Sequence, residues 1–144
     1  MSIATKTVES LNSLLRGELS AVETYRMAIE KTKTDNVVSV LSECMQCHDK
    51  RANKLRNLVV SEGGEPTKDA GAWGAFAKAV EGGAAILGEK AALGSIKEGE
   101  DHGLELYKSE VKHMEGAALS VVQSELFPAQ EKTQHAIAAL VGNI

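Results

Sequence analysis

Aromatic residues and proline are scarce in this chain: two Phe, two Tyr and one Trp make up 3% of its 144 residues, and there are only two prolines. Strands draw on aromatic and β-branched runs, whereas the plentiful Ala, Leu, Glu and Lys favour helix. No run of about 18 apolar residues is present, which argues against a membrane-spanning helix. The composition therefore predicts an all-α protein.

The sequence also shows no recognisable export signal, no block of basic residues and only two cysteines. The stretch Met1–Lys6 lacks an apolar signal core, so we expect a cytoplasmic protein. The net charge is −4, with acids and bases interspersed, which argues against partners such as nucleic acid or a membrane surface. We predict that Cys44 and Cys47 are reduced thiols rather than a disulfide. With 43% apolar residues, the length suits one core, and we predict a single domain over residues 1–144.

An internal repeat is the most informative feature. Residues 17–26 and 99–108 share the pattern Gly-Glu-x-x-x-x-Glu-x-Tyr-basic at an offset of 82 residues. The first Glu of each copy, Glu18 or Glu100, falls in the middle of an apolar helical stripe. An ionised carboxylate there is costly without a partner, and a cation is the usual partner. Two related helices that each present one inward Glu indicate a carboxylate metal site inside a four-helix bundle.

The first half of the chain predicts a helical hairpin. A stripe with a spacing of about 100° per residue predicts a first helix over residues 5–31, with Glu18 at its centre. A polar turn at 33–36, with Asp35 or Asn36 as N-cap, leads into a second stripe that has His48 at its centre. A turn at residue 33 places Glu18 and His48 at the same level of the hairpin.

The second half predicts another hairpin after a long connection. Glycine-rich residues 63–90 predict a crossover that contains a short helix. A third helix carries Glu100, and a turn near 116 leads to a fourth helix in which Pro128 introduces a kink or a change of phase. That turn brings one group of fourth-helix candidates to the level of Glu100: Gln130, Glu131, Gln134 and His135.

These motifs resemble the ferritin-like superfamily, specifically small bacterial proteins of uncharacterised role. The matching segments are residues 11–25, 63–66, 71–74, 99–107 and 128–135. The resemblance implies a four-helix bundle made of two antiparallel hairpins joined by a long crossover. It also implies a site for iron or manganese, which such proteins hold and which oxygen or peroxide can oxidise. By this resemblance the metal ligands are Glu18, His48, Glu100 and His135, in a protein that we expect to form a homodimer.

The chain departs from the usual di-iron pattern, in which a Glu lies three residues before each His. Met45 and Lys132 occupy these positions. Glu131 is one substitute on the fourth helix, which leaves an atypical site with few carboxylates. The competing interpretation is a metal-free structural or interaction protein, in which a buried Glu and His core fixes the helix register.

A remote alternative rests on residues 44–48, Cys-Met-Gln-Cys-His. They match C-x-x-C-H, the attachment motif of c-type haem. Covalent haem attachment takes place outside the cytoplasm, and the stripe around His48 predicts helix packing where the porphyrin would lie. No pocket for an organic substrate can be recognised from the sequence.

Overall fold

The computed structural model describes residues 3–70 and 88–142, and within these ranges it contains helices and no strand. Helix α1 spans Ile3–Lys31, and α2 spans Asp35–Ser61. Helix α3 spans Glu89–Glu110 and is followed by a 3-10 turn, Val111–His113. The fourth helix, α4, has three consecutive segments: an α segment Gly116–Val121, a π segment Val122–Leu126 and an α segment Phe127–Gly142. The prediction of an all-α protein with four helices is confirmed.

The turn between α1 and α2 lies where the sequence predicts it, but its capping differs. The N-cap of α2 is Thr34, not Asp35 or Asn36, and its side chain makes no capping hydrogen bond. Instead, the Thr34 hydroxyl donates to Glu89 Oε2 at 3.1 Å. The turn is therefore tied to the first residue of α3.

Helix α2 ends where the glycine pair predicts. Gly63 has a φ of +81°, a left-handed conformation that side chains with a Cβ disfavour. The backbone N–H of Gly64 then donates to the Val59 carbonyl at 2.9 Å and closes the helix end. The short helix predicted within residues 63–90 falls largely on 71–87, outside the described residues.

Contacts at both ends show that α1 and α3 are antiparallel. Near the start of α1, the Thr7 hydroxyl accepts a hydrogen bond from the backbone N–H of Glu115 at 3.3 Å, just after α3. Near the end of α1, the bond between Thr34 and Glu89 joins it to the start of α3. The two hairpins therefore pack with α1 and α3 as direct neighbours.

The apolar core has two parts, one on each side of a polar layer. The part near the start of α1 includes Leu11, Leu14, Leu15, Leu55, Val59, Val122 and Leu126. The part near the end of α1 includes Tyr25, Ala28, Leu41, Cys44, Leu93, Ile96 and Ile137. Burial of these side chains drives the packing of the helices. It also removes from water whatever polar groups lie between the two parts.

The π segment sets the orientation of the rest of α4. Pro128 has no N–H to donate to the carbonyl four residues earlier, and its ring crowds that carbonyl. A π turn adds one residue per turn and shifts the helical phase. After Val122–Leu126 the buried positions of α4 are Gln130, Thr133 and Ile137. The phase change predicted at Pro128 is thus present, in the turn just before it.

No helix in the described ranges is both long enough and apolar enough to cross a membrane.

Candidate functional site: a buried charge cluster

Each of the four helices contributes two polar side chains to one layer of the core. Each of these eight residues is at most 4% exposed. They are Glu18 and Tyr25 on α1, His48 and Arg51 on α2, Glu100 and Tyr107 on α3, and Gln130 and Thr133 on α4. We call this group the charge cluster.

His48 bridges the two carboxylates of the repeat. Its Nδ1 lies 2.6 Å from Glu18 Oε1, and its Nε2 lies 3.0 Å from Glu100 Oε2. A neutral imidazole can donate through only one nitrogen, whereas the imidazolium donates through both. Contact with a carboxylate at each nitrogen therefore favours the protonated ring. The prediction that Glu18 and His48 lie at one level is confirmed.

The two tyrosines of the repeat are exchanged between the helices. The Tyr25 hydroxyl on α1 donates to Glu100 Oε2 on α3 at 3.0 Å. Reciprocally, the Tyr107 hydroxyl on α3 donates to Glu18 Oε2 on α1 at 2.8 Å. On both helices the Tyr follows the Glu by seven positions. Because α1 and α3 are antiparallel, each Tyr meets the Glu of the opposite helix.

Arg51 supplies a fixed positive charge in the same layer. Its Nε lies 3.1 Å from Glu18 Oε2, an ionic contact in which the N–H does not point at the oxygen. One terminal nitrogen donates to Gln130 Oε1 at 2.6 Å. The other donates to the Thr133 hydroxyl at 3.1 Å, and it lies 2.8 and 3.0 Å from the two ring nitrogens of His48.

The remaining oxygen of Glu100 is held by α4. Thr133 donates to Glu100 Oε1 at 2.8 Å, and the Gln130 amide donates to the same oxygen at 3.2 Å and to the Glu100 backbone carbonyl at 2.9 Å. All four partners of this carboxylate, including Tyr25 and His48, offer hydrogens. This arrangement suits an ionised carboxylate.

Opposite charges set the protonation of Glu18, His48 and Arg51. Burial raises the pKa of Glu18, but Arg51 and His48 outweigh burial and bring the pKa below 4.5. Burial lowers the pKa of His48, yet Glu18 and the bonds to both carboxylates outweigh burial and Arg51, so that it lies above 6.5. Burial also lowers the pKa of Arg51, and Glu18 more than compensates. With both carboxylates ionised and His48 protonated, two negative charges face two positive ones, and the cluster is charge-balanced.

The two tyrosines of the charge cluster and the neighbouring thiol of Cys44 keep their protons. Burial, and next to it the charge of Glu100, raises the pKa of Tyr25 well above its usual value. Burial and Glu18 do the same for Tyr107. Burial, followed by Glu100, raises the pKa of the Cys44 thiol to about 11. Since the thiolate is the reactive form, Cys44 is a poor nucleophile.

The internal repeat extends across the whole cluster. The offset of 82 residues that relates Glu18 to Glu100 and Tyr25 to Tyr107 also relates His48 to Gln130 and Arg51 to Thr133. Every member of the cluster therefore has its counterpart in the other hairpin. The two halves differ in charge, because α2 carries two basic side chains where α4 carries neutral ones.

The structure brings three of the five predicted metal ligands together and leaves two apart. Glu18, His48 and Glu100 meet in the core, while Glu131 and His135 are exposed on α4. The phase of α4 explains their positions: Gln130 and Thr133 face the core, so a residue next to Gln130 or two after Thr133 points away. Across the described ranges, no group of three or more His, Cys, Asp and Glu side chains has an arrangement that could hold a metal ion.

Arg51 and Thr133 are the cluster members that sequence reasoning missed. Arg51 lies three residues after His48 and four before Leu55, a spacing that places all three on one helix face. The repeat offset gives a second signal for both residues. A buried Arg is rare without an acid partner, so its place on the stripe of α2 could have indicated the counterion of Glu18.

The C-x-x-C-H motif lies within α2. Cys44 is buried and Cys47 is half-buried, and both are free thiols. His48 uses both ring nitrogens on Glu18 and Glu100, so neither is left to serve as an axial haem ligand without breaking the cluster.

A resident metal ion does not fit the residues of this site. A di-iron or di-manganese centre draws its carboxylates from four helices, and here α2 and α4 present Arg51, Gln130 and Thr133 instead. The oxygens of Glu18 and Glu100 already accept hydrogen bonds from five side chains. The Arg51 guanidinium already supplies a positive charge beside Glu18.

The fold and the site thus define a four-helix bundle with a charge-balanced polar layer. The chain belongs to the family described as a domain of unknown function (DUF2383), which matches residues 6–113. The matched range contains α1 from residue 6 onward, all of α2 and all of α3, and with them six of the eight residues of the charge cluster. No curated protein and no solved structure matches the chain.

Proposed function

We propose that this protein is a metal-independent member of the ferritin-like bundles, in which Arg51 supplies the charge that a metal ion supplies elsewhere. Its charge cluster acts as a structural element that fixes how two hairpins pack, in a helical module for interaction rather than for metal chemistry. The observation that carries this proposal is the position of Arg51, in contact with Glu18, His48, Gln130 and Thr133 at once.

The helix arrangement supports the ferritin-like part of the proposal. Helix α2 ends beside the start of α1, since Gly64 lies against Val8, whereas α3 begins beside the end of α1. The end of α2 and the start of α3 therefore lie at opposite ends of the bundle. Ferritin-like topologies join their two hairpins by a long connection across such a distance.

A buried ionic cluster can determine how helices pack, because its free-energy cost depends on geometry. Charges taken from water must find their partners, or they destabilise the fold by several kcal/mol. An alternative register of the hairpins would separate Arg51 from Glu18 and the tyrosines from their carboxylates. Apolar side chains alone discriminate less sharply between registers.

Metal holding is the second candidate function, and one observation favours it. Glu18, His48 and Glu100 converge within hydrogen-bond distance, and each is a common ligand of iron or manganese. For an ion to enter, Arg51 would have to leave the layer. In that case the protein would hold iron or manganese and expose it to oxygen or peroxide.

Metal content and metal-dependent stability distinguish the two functions. The protein is purified without a metal-affinity tag, its metals are measured by plasma mass spectrometry, and its melting temperature is followed with added Fe²⁺ or Mn²⁺ under anaerobic conditions. We expect no stoichiometric metal and no change in melting temperature. A ligand present at 100 times its Kd stabilises a protein by about 2.7 kcal/mol, so a rise of several degrees would support metal holding instead.

Assembly and location follow from the same proposal. We infer that the protein acts in the cytoplasm and as a homodimer, the commonest form of oligomer among soluble proteins. Light scattering coupled to size exclusion gives the mass in solution. A mass of 15.3 kDa would be that of the monomer and would contradict the dimer.

A further inference from the structure

A pocket of about 40 Å³ lies beside the charge cluster, between α1 and α3. Its walls are formed by small residues that face each other across the two helices: Gly17, Ala21, Gly99 and Gly103. All four are half-buried, so the pocket reaches the surface between the helices. Its lining is largely apolar, and its floor consists of side chains of the cluster.

The pocket is built by the internal repeat. The offset of 82 residues relates Gly17 to Gly99, Ala21 to Gly103 and the floor residues Glu18 and Tyr25 to Glu100 and Tyr107. The small residues flank the buried Glu by one position before and three after in both copies. A single gap that both copies of the repeat line at equivalent positions is part of the repeated architecture rather than an isolated packing defect.

The hydrogen bonds of the floor decide which polar group a ligand must bring. Both tyrosine hydrogens, both ring nitrogens of His48 and the amide of Gln130 are already engaged by Glu18 and Glu100. On these cluster side chains acceptor capacity remains, on the tyrosine oxygens and the carboxylates. Thr24, which also lines the pocket, donates its hydroxyl hydrogen to the Ser20 carbonyl at 2.7 Å. A ligand therefore has to donate a hydrogen bond.

The charge of the cluster decides the charge of the ligand. Glu18 and Glu100 are balanced by Arg51, which contacts Glu18, and by His48, which bridges the two acids. An additional ion in this buried place would have no counterion and would be costly. The ligand is therefore neutral, and the apolar walls favour an apolar remainder.

The volume limits the ligand to a few atoms. A water molecule needs about 10–15 Å³ of such volume, and a cavity of about 150 Å³ holds benzene. We propose that this pocket binds a short-chain alcohol or another neutral hydroxyl compound of about two to four non-hydrogen atoms, with its O–H directed at a tyrosine oxygen or a carboxylate of the floor. For ethanol, which has three non-hydrogen atoms, the best efficiencies of about 1.5 kcal/mol per atom place the Kd at about 0.5 mM or weaker.

The test is a titration of the full chain with ethanol, followed by ¹H–¹⁵N correlation spectra. We expect saturable shifts confined to amides around Gly17, Ala21, Gly99 and Gly103. Acetonitrile, which has the same number of non-hydrogen atoms and no O–H, and acetate, which is charged, should both bind at least tenfold more weakly. Shifts that grow linearly, or that spread evenly over the four helices, would mean a solvent effect only and would overturn the proposal.

Filling the pocket gives the matched comparison. Ala21→Leu places a larger side chain in the wall, whereas Ala139→Leu adds the same atoms at an exposed position of α4. We expect Ala21→Leu to abolish the saturable shifts and Ala139→Leu to retain them. Equal ethanol binding by both folded variants would refute the site. If Ala21→Leu fails to fold, Ala21→Val replaces it, because it adds less volume. We expect Ala21→Val to weaken ethanol binding at least tenfold.

Discussion

Removal of the Arg51 guanidinium is the most direct test of the charge cluster. In Arg51→Met, the side chain keeps an apolar stem like that of arginine but loses the charge and every hydrogen-bond donor. Glu18 then remains buried without its ionic partner, and Gln130 Oε1 loses a hydrogen bond of 2.6 Å. Breaking a buried pair by removing one member costs about 3–5 kcal/mol, because the remaining charge is uncompensated.

The expected loss is large relative to the stability of a domain of this size. Total free energies of unfolding are about 5–15 kcal/mol. A loss of 1 kcal/mol lowers the melting temperature by about 3–5 °C at this chain length, so we expect a drop of about 10–20 °C. Guanidinium unfolding followed by circular dichroism gives the free energy, and an unchanged m-value shows that the same surface is exposed.

Arg56→Met is the matched control, since Arg56 lies on the same helix and its guanidinium donates to the exposed Asn53 at 2.6 Å. It should change the free energy of unfolding by no more than about 0.5 kcal/mol. Arg51→Lys keeps a charge but lacks the fork that reaches Gln130 and Thr133 together, so it should fall between the two. If Arg51→Met cost no more than Arg56→Met, the guanidinium would not be the counterion of Glu18.

A double-mutant cycle isolates the pair itself. Glu18→Gln removes the charge that Arg51 compensates while keeping most of the side-chain volume. Residues in one ionic network are coupled by about 0.5–3 kcal/mol. We expect the variant with both substitutions to be more stable than the sum of the single losses predicts, by about 1–3 kcal/mol. Strict additivity would contradict a direct interaction.

Three further predictions concern pH, packing and the symmetry of the cluster. The lowered pKa of Glu18 contributes stability above pH 4.5, and this stability is lost as the pH falls through the folded-state pKa of Glu18. The raised pKa of His48 contributes stability below pH 6.5, and this stability is lost as the pH rises through the folded-state pKa of His48. Unfolding free energy measured against pH should therefore be greatest between these values, and His48→Gln should remove the alkaline decline whereas exposed His135→Gln should not. A Cβ on Gly103 would lie 2.7 Å from the Gln130 amide nitrogen, while one on Gly94 meets nothing within 4 Å. In thermal unfolding we expect Gly103→Ala to cost about 1–3 kcal/mol and Gly94→Ala to gain up to about 1 kcal/mol; a gain for both would show that Gln130 can move aside. Tyr25→Phe and Tyr107→Phe each remove one bond to a carboxylate, and we expect similar losses of about 1.5–3 kcal/mol in chemical unfolding, so that a several-fold difference between them would contradict the symmetry.

The helices could be predicted from sequence because their signals are local. Apolar spacing gives α1, α2 and α3, the polar turn at 33–36 separates the first hairpin, and Gly63 marks the end of α2. The levels of Glu18 and His48 follow from turn position alone. These features depend on residues that are close in sequence, and for that reason they are recoverable without coordinates.

The composition of the site was harder to predict, for two physical reasons. The orientation of α4 depends on the π segment before Pro128, and one added residue decides whether Gln130 or Glu131 faces the core. The partner of a buried carboxylate is also a tertiary property: a stripe shows that Glu18 is buried but not whether an ion or Arg51 neutralises it. The resemblance to metal-binding bundles therefore identified the layer but could not identify its cation.

The repeat itself gives a physical reason for an internal cation. Two copies of one hairpin bring two identical carboxylates to the same layer, where like charges within a low-dielectric core repel. If the second helix of each hairpin carried the same side chains, His48 and Arg51 would both occur twice. Their positive charge would then exceed the negative charge of the two carboxylates. The chain instead carries His48 and Arg51 in one half and neutral Gln130 and Thr133 in the other. This asymmetry balances two negative charges with two positive ones while every position of the layer remains filled by a hydrogen-bonding side chain.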